Sequence, residues 1–142
     1  METRDNLRVV SDIGSRLPIY CTSQGKVFLA HMSRTSAEAL LRAQHMTQFT
    51  PHTITDLTAL MQEIDLCRTD GYAIENGEYK IGLRSISAPV YTVEGKARYT
   101  VGVIGMFRST RSDEFLAAVE QVCATASMIS TALGYRKTEE LL

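Results

Sequence analysis

The chain has 142 residues, 44% of them apolar, and its 15 basic and 16 acidic residues leave a formal net charge of −1. That length suits one domain with a real core and falls short of two. Balanced charge without any block of one sign excludes a dedicated nucleic-acid surface, which needs a basic patch.

No run of about 18 apolar residues is present, so no membrane-spanning segment is expected. The opening METRDNLRVV lacks the apolar centre of a signal peptide, which points to a cytoplasmic protein. The three cysteines, Cys21, Cys67 and Cys123, are odd in number and lack a CxxC spacing. They read as reduced, mostly buried thiols rather than a disulfide framework or zinc site. His31, His45 and His52 form no i, i+4 pair, so no metal site is expected, and no cofactor is assigned.

In chain order, Leu7–Val10 is a short strand followed by a turn over Ser11–Gly14. Pro18 holds the next stretch extended, and Thr22 or Ser23 caps a helix carrying Val27, Phe28, Leu29 and Met32. Gly25 in its first turn costs up to ~1 kcal/mol relative to Ala. It is either simply tolerated or marks the close approach of another backbone or a ligand. Thr35-Ser36-Ala37-Glu38 is a capping box that opens a short helix through Leu40 and Leu41. Phe49–His52 breaks that pattern, and Thr53 or Thr55 caps a longer helix in which Leu57, Leu60, Met61 and Ile64 share one face. Gly71 closes it as a left-handed cap. Tyr72–Glu75 is the next strand, with a tight turn at Asn76-Gly77.

The stretch Gly82–Phe107 reads as two strands joined at Tyr91–Lys96, with Glu94-Gly95 as the hairpin signal. An even-length loop centred near Glu94 puts Ser85 and Ser87 on one face with Thr100, Gly102, Ile104 and Met106. The other face collects Ile86, Ala88, Val90, Tyr99, Val101, Val103 and Phe107, which is a core pattern. The first face is too polar for a core and too apolar for open water. It is either the wall of a small-molecule pocket or a half-solvated sheet face. Ser112, Asp113 and Glu114 start the last helix. Its stripe of Phe115, Val119, Val122, Ala126, Ile129 and Leu133 is the expected partner of the apolar hairpin face, and Gly134 stops it.

Four stretches carry a family resemblance: LPIYCTSQGKVFLA at Leu17–Ala30, TPHTITDLTALMQEI at Thr50–Ile64, DGYAIENGEYKIGLRSISAPV at Asp70–Val90 and ISTALGY at Ile129–Tyr135. In order and spacing they resemble the IclR-type bacterial transcriptional regulators, and the resemblance covers Leu7 to Tyr135. It implies an α+β fold, a GAF-like effector-binding domain with a twisted antiparallel sheet flanked by helices, here as a single domain over 1–142. By that resemblance such a domain binds a small organic or aromatic acid, associates with itself as a dimer or tetramer, and biases DNA binding by an attached winged helix-turn-helix. That module, the linker helix and the first hairpin of the domain have no counterpart ahead of Leu7. The chain therefore resembles a C-terminal fragment of a regulator that touches DNA only through the missing part.

Carried over position by position, the family pocket falls on Cys21, Thr22, Gly25, Glu75, Ser85, Gly102 and Ile104. Relatives commonly carry cysteine where Ser85 stands and an SxS pair at Gly102 and Ile104. Their paired acids after GYA read Glu75-Asn76-Gly77-Glu78 here. By these departures Gly102 opens volume and Ile104 adds apolar wall, which implies a ligand with a ring or several carbons besides its acid end.

Two other classes compete. An enzyme would use Cys21 as a thiolate nucleophile at a helix N-terminus, with a base from His31, His45 or His52, none singled out by spacing. An oligomerisation module would show a continuous apolar hairpin face, against which Ser85, Ser87, Thr100 and Gly102 speak. The chain is read as a sensor and not as an enzyme.

Overall fold

The structure, a computed structural model, describes residues 12–137. The Leu7–Val10 strand expected from the sequence lies outside them. Four helices and three strands follow in the order α1 (Ser23–Ala30), α2 (Arg34–Arg42), α3 (Leu57–Asp70), β1 (Ala73–Asn76), β2 (Arg84–Tyr91), β3 (Ala97–Gly105) and α4 (Asp113–Ala132). The strands form one antiparallel sheet in the order β1-β2-β3. α1 lies on one face of the sheet with α3 behind it, and α4 covers the other face.

The hairpin has the expected register: Ser85 pairs with Ile104, Ser87 with Gly102 and Pro89 with Thr100, while Ile86, Ala88 and Val90 face Val103, Val101 and Tyr99. Gly95 takes a positive φ of 76° in the turn, where a side chain would strain the backbone. A register shift at Val90/Tyr91 sets Tyr91 against Ala97.

The apolar side of the hairpin splits along its length. Ile86, Ala88 and Val90 are buried against Phe115, Val119, Val122 and Ala126 of α4. Tyr99 and Val103 on β3 are exposed, because β3 is the edge of the sheet among the described residues and overhangs α4. The α4 stripe also departs from expectation in its last turn. Ile129 and Leu133 are exposed, and Ser130 turns inward in their place. Its hydroxyl donates to Ala126 O (2.7 Å) and accepts from the Tyr91 N–H (2.9 Å), which ties the helix end to the end of β2. By length and composition α4 could cross a membrane, but its buried residues are those that pack on the sheet.

Two helix N-caps match the local pattern and two differ from it. Ser112 caps α4 as expected, accepting from the Phe115 N–H at 3.3 Å. Thr22 caps α1, one of the two residues expected. Ser33, not the Thr35–Glu38 box, caps α2 and accepts from the Ser36 N–H at 3.1 Å. Asp56 caps α3, accepting from the Ala59 N–H at 2.9 Å. Thr53 is drawn away from capping: its hydroxyl accepts from the Phe49 and Thr50 N–H groups (3.0 and 2.9 Å) and donates to Glu78 O. Gly71 ends α3 with φ 82°, as its position predicts.

Two separate hydrophobic clusters result. One joins α1, α2 and α3 through Val27, Leu29, Leu41, Leu60 and Ile64; the other joins β2 and α4. Between α1 and the sheet lies a buried polar seam.

Candidate functional site

The seam begins at the turn into α1. Pro18–Cys21 runs close beneath the helix start, and a Cβ on Gly25 would run into the backbone of Ile19. Gly25 is therefore there for backbone approach, not merely tolerated. The hydroxyl of Thr22 is fully used, donating to Pro18 O (2.6 Å) and accepting from the Gly25 N–H (3.2 Å). This tight entry fixes the direction in which Ser23 points.

Ser23 is fully buried, and its Oγ stands 2.8 Å from both Ser85 Oγ and Ser87 Oγ on β2. Ser85 donates onward to Glu75 Oε2 at 3.2 Å, and Glu75 is its register partner on β1. The other oxygen of Glu75 accepts from the N–H groups of Glu78 and Tyr79 at 2.7 and 2.9 Å. These bonds lock the carboxylate in place. Burial nevertheless raises its pKa above the usual carboxylate range, against the lowering effect of those two N–H donors.

Beside the seam sits a buried ion pair. Lys26 of α1, 1% exposed at its side chain, reaches Glu78 at 2.8 Å and the half-exposed Glu63 of α3 at 3.5 Å. Its ammonium also donates to Ile74 O (3.1 Å), and Glu78 accepts from the Asn76 N–H (3.0 Å). Together the two side chains satisfy backbone groups of the short strand β1. Beyond them a cleft of about 440 Å³ opens between α3 and β1, with Lys26, Glu63, Cys67, Ile74 and Glu78 in its wall.

The structure brings Glu75 and Ser85 together, with Cys21 close enough for the charges of Glu78 and Glu75 to act on its thiol. Ile104 flanks Ser85 across the hairpin and is 51% exposed, leaving that side of the seam open. Thr22 and Gly25 shape the helix entry instead of lining free space. Gly102 corrects an expectation. It is exposed, yet a Cβ there would collide with Ile86 O and meet Ser87 Oγ at 2.5 Å, so it opens no volume in this arrangement. It makes room for the Ser87 hydroxyl.

Cys21 does not have the character the enzyme alternative requires. Burial, with the nearby carboxylates of Glu78 and Glu75, pushes its thiol up to about 12. At neutral pH it is a thiol without nucleophilic charge. His31 is engaged elsewhere, its ring nitrogens 2.8 Å from Val27 O and 2.7 Å from the Tyr91 hydroxyl. All three cysteines are free, and among the described residues no cluster of metal-ligating side chains occurs.

Sequence reasoning put Ser87 beside Ser85 on the candidate pocket face without carrying it into the site, and missed Ser23. The signal for Ser87 was its two-residue spacing from Ser85 on one strand face. For Ser23 there was none beyond its rivalry with Thr22 as a cap.

Comparison with known proteins agrees with this architecture. In sequence the chain is 29% identical over 136 residues to the HTH-type transcriptional repressor AllR of Escherichia coli, covering 96% of this chain and 50% of AllR. In structure it resembles the repressor BlcR of Agrobacterium tumefaciens (31% identity, TM-score 0.78, covering 89% of this chain and 51% of that one). It also resembles a double mutant of the inducer-binding domain of the transcription factor PobR from Acinetobacter, solved as a complex with 3-hydroxybenzoic acid (25% identity, TM-score 0.73, covering 85% and 69%). The chain thus spans about half the length of the curated relatives it matches. The family model described as bacterial transcriptional regulator IclR C-terminal matches residues 1–131, and the chain belongs to the IclR family of transcriptional regulators as a C-terminal, ligand-sensing type of domain.

Proposed function

We propose that this domain senses a small organic acid with a ring or several carbons, held against the hairpin face of Ser85, Gly102 and Ile104. The sensed state would bias DNA binding by a module outside these residues. The observation that carries the reading is the convergence of Ser23, Ser85, Ser87 and Glu75 beneath a face left half open at Gly102 and Ile104. Hydroxyls beside an accessible apolar strand supply what an acid with a carbon skeleton needs: directional polar contacts at one end and apolar area at the other. The 3-hydroxybenzoic acid complex of the PobR domain, a family neighbour, is consistent with that chemistry.

A ligand at ~100 times its dissociation constant stabilises the fold by about 2.7 kcal/mol, several degrees in melting temperature for a domain of this size. A thermal-shift panel of aromatic and short-chain acids should show such a response. Ile104→Glu should abolish it at little cost in stability, since Ile104 is half exposed and the new carboxylate repels an acid. A response untouched by Ile104→Glu would overturn the placement. The α3–β1 cleft is the second reading, favoured by its volume and the Lys26 ammonium in its wall. Leu66 of α3 also lines that cleft and is exposed, so an acid response lost on Leu66→Glu and kept on Ile104→Glu would move the site there.

A further inference from the structure

The cleft between α3 and β1 encloses about 440 Å³, and none of Ser23, Ser85, Gly102 or Ile104 lines it. Glu63, Leu66, Cys67 and Asp70 fall at i, i+3, i+4 and i+7 on α3, one face of the helix, and form one wall. Tyr72 and Ile74, just before and within β1, line the other. A carboxylate thus stands at each end of the α3 wall, about 10 Å apart along the helix axis, with apolar side chains between them.

Lys26 does not make this a site for an acid. An ammonium has three protons to give, and this one already meets Ile74 O at 3.1 Å, Glu78 at 2.8 Å and Glu63 at 3.5 Å. Its side chain is 1% exposed, so no proton remains to offer an incoming anion.

The carboxylates are the less satisfied partners. Glu78 is 4% exposed and lines the cleft, yet its Oε1 accepts no hydrogen bond, since its approach to the Lys26 ammonium is close but poorly angled. Glu63 is half exposed and shares Lys26 with Glu78. Asp70 is exposed, and among the described residues its carboxylate makes no ion pair. Arg68, two residues before it, is taken by Asp65, Ala30 O and Met32 O. Burial first and the Asp70 charge next raise the pKa of the Tyr72 phenol, so that charge reaches across the cleft. Asp70 is also the last residue of α3, where the carbonyl end of the helix adds negative potential. At about pH 7.5, where an ordinary histidine is mostly neutral, three carboxylates and one ammonium line the cleft.

We propose that this cleft is a second binding site, taking a linear aliphatic diamine with one ammonium at Asp70 and the other at Glu63 beside Glu78. The hydrocarbon between the two ends lies along Leu66 and Ile74. An acid of the same length would set its charge against carboxylates, and a monoamine would leave one end of the cleft without a partner.

The test is an amide NMR titration of the whole chain at about pH 7.5 and low ionic strength, with hexamethylenediamine, hexylamine and hexanoate. Expected are saturable shifts at Asp70, Gly71 and Ile74 with the diamine, about two- to fivefold weaker binding of hexylamine, and no shifts at these residues with hexanoate. Asp70→Asn removes an exposed carboxylate and should leave the spectrum folded. It should bring the diamine down to the affinity of hexylamine, while hexylamine, which can sit at Glu63, changes less. Equal affinity for the two amines, a diamine advantage that survives Asp70→Asn, or hexanoate shifts at the same residues would overturn the proposal. So would the absence of any saturable shift there with the diamine.

Discussion

The two faces of β2 differ by one residue in register and by everything in how they are held. Ile86, Ala88 and Val90 meet α4 in an apolar contact whose strength scales with the area removed from water. Ser85 and Ser87 meet α1 through hydroxyls at 2.8 Å, bordered by a lysine–glutamate pair. The first contact is non-directional and has one good arrangement. The second is directional, because each hydroxyl has one proton to give and a narrow range of angles in which to give it. A strand buried on both sides thus anchors the domain through apolar area on one face and fixes the lie of α1 through directional bonds on the other.

The contrast between the faces is most readily broken on the apolar side. Phe115 is fully buried and packs edge-on against Phe107 with ring centroids 5.1 Å apart. Phe115→Ala should cost about 3–5 kcal/mol, read as a lowered denaturation midpoint with unchanged slope. A loss near the cost of a surface substitution would show that α4 is not the anchor.

On the polar side the largest effect is expected at the ion pair. Lys26→Met removes one partner and leaves the Glu78 carboxylate buried, which costs about 3 kcal/mol or more. Replacing both, Lys26→Met with Glu78→Leu, should recover part of that loss in the same denaturation experiment. No recovery would mean that the Ile74 and Asn76 backbone bonds matter more than the pairing of charge.

Gly102→Leu sharpens the contrast with the smallest expected effect. The new side chain must displace Ser87 Oγ and press on the β2 backbone, so a loss of about 1–3 kcal/mol is expected. A neutral outcome would restore the roomy pocket that the sequence suggests and show that crowding by Ser87 does not explain the glycine.

Much of this was legible in the chain itself. Period-two alternation and the Glu94-Gly95 turn determined the hairpin register, and with it the two faces, because a slip of one residue would have exchanged them. Helix ends at Gly71 and Gly134 were readable because a left-handed cap admits few other residues. Such signals need only residues a few positions apart.

What needed the folded chain were the partners of polar groups. Asp56 rather than Thr53 caps α3 because Thr53 is claimed by Glu78 O, a residue 25 positions away. Ser130 replaces Ile129 inside because its hydroxyl answers the Tyr91 N–H at the end of β2. Ser23 joins Ser85 and Ser87 across separations of 62 and 64 residues, and Gly102 lacks the room its small size promised because the Ser87 hydroxyl already occupies it. A hydroxyl has one proton and a narrow angular range in which to use it, so its role is decided by how α1 lies on the sheet. No local pattern in the chain encodes that placement; burial of polar groups, which leaves each one needing a partner, does.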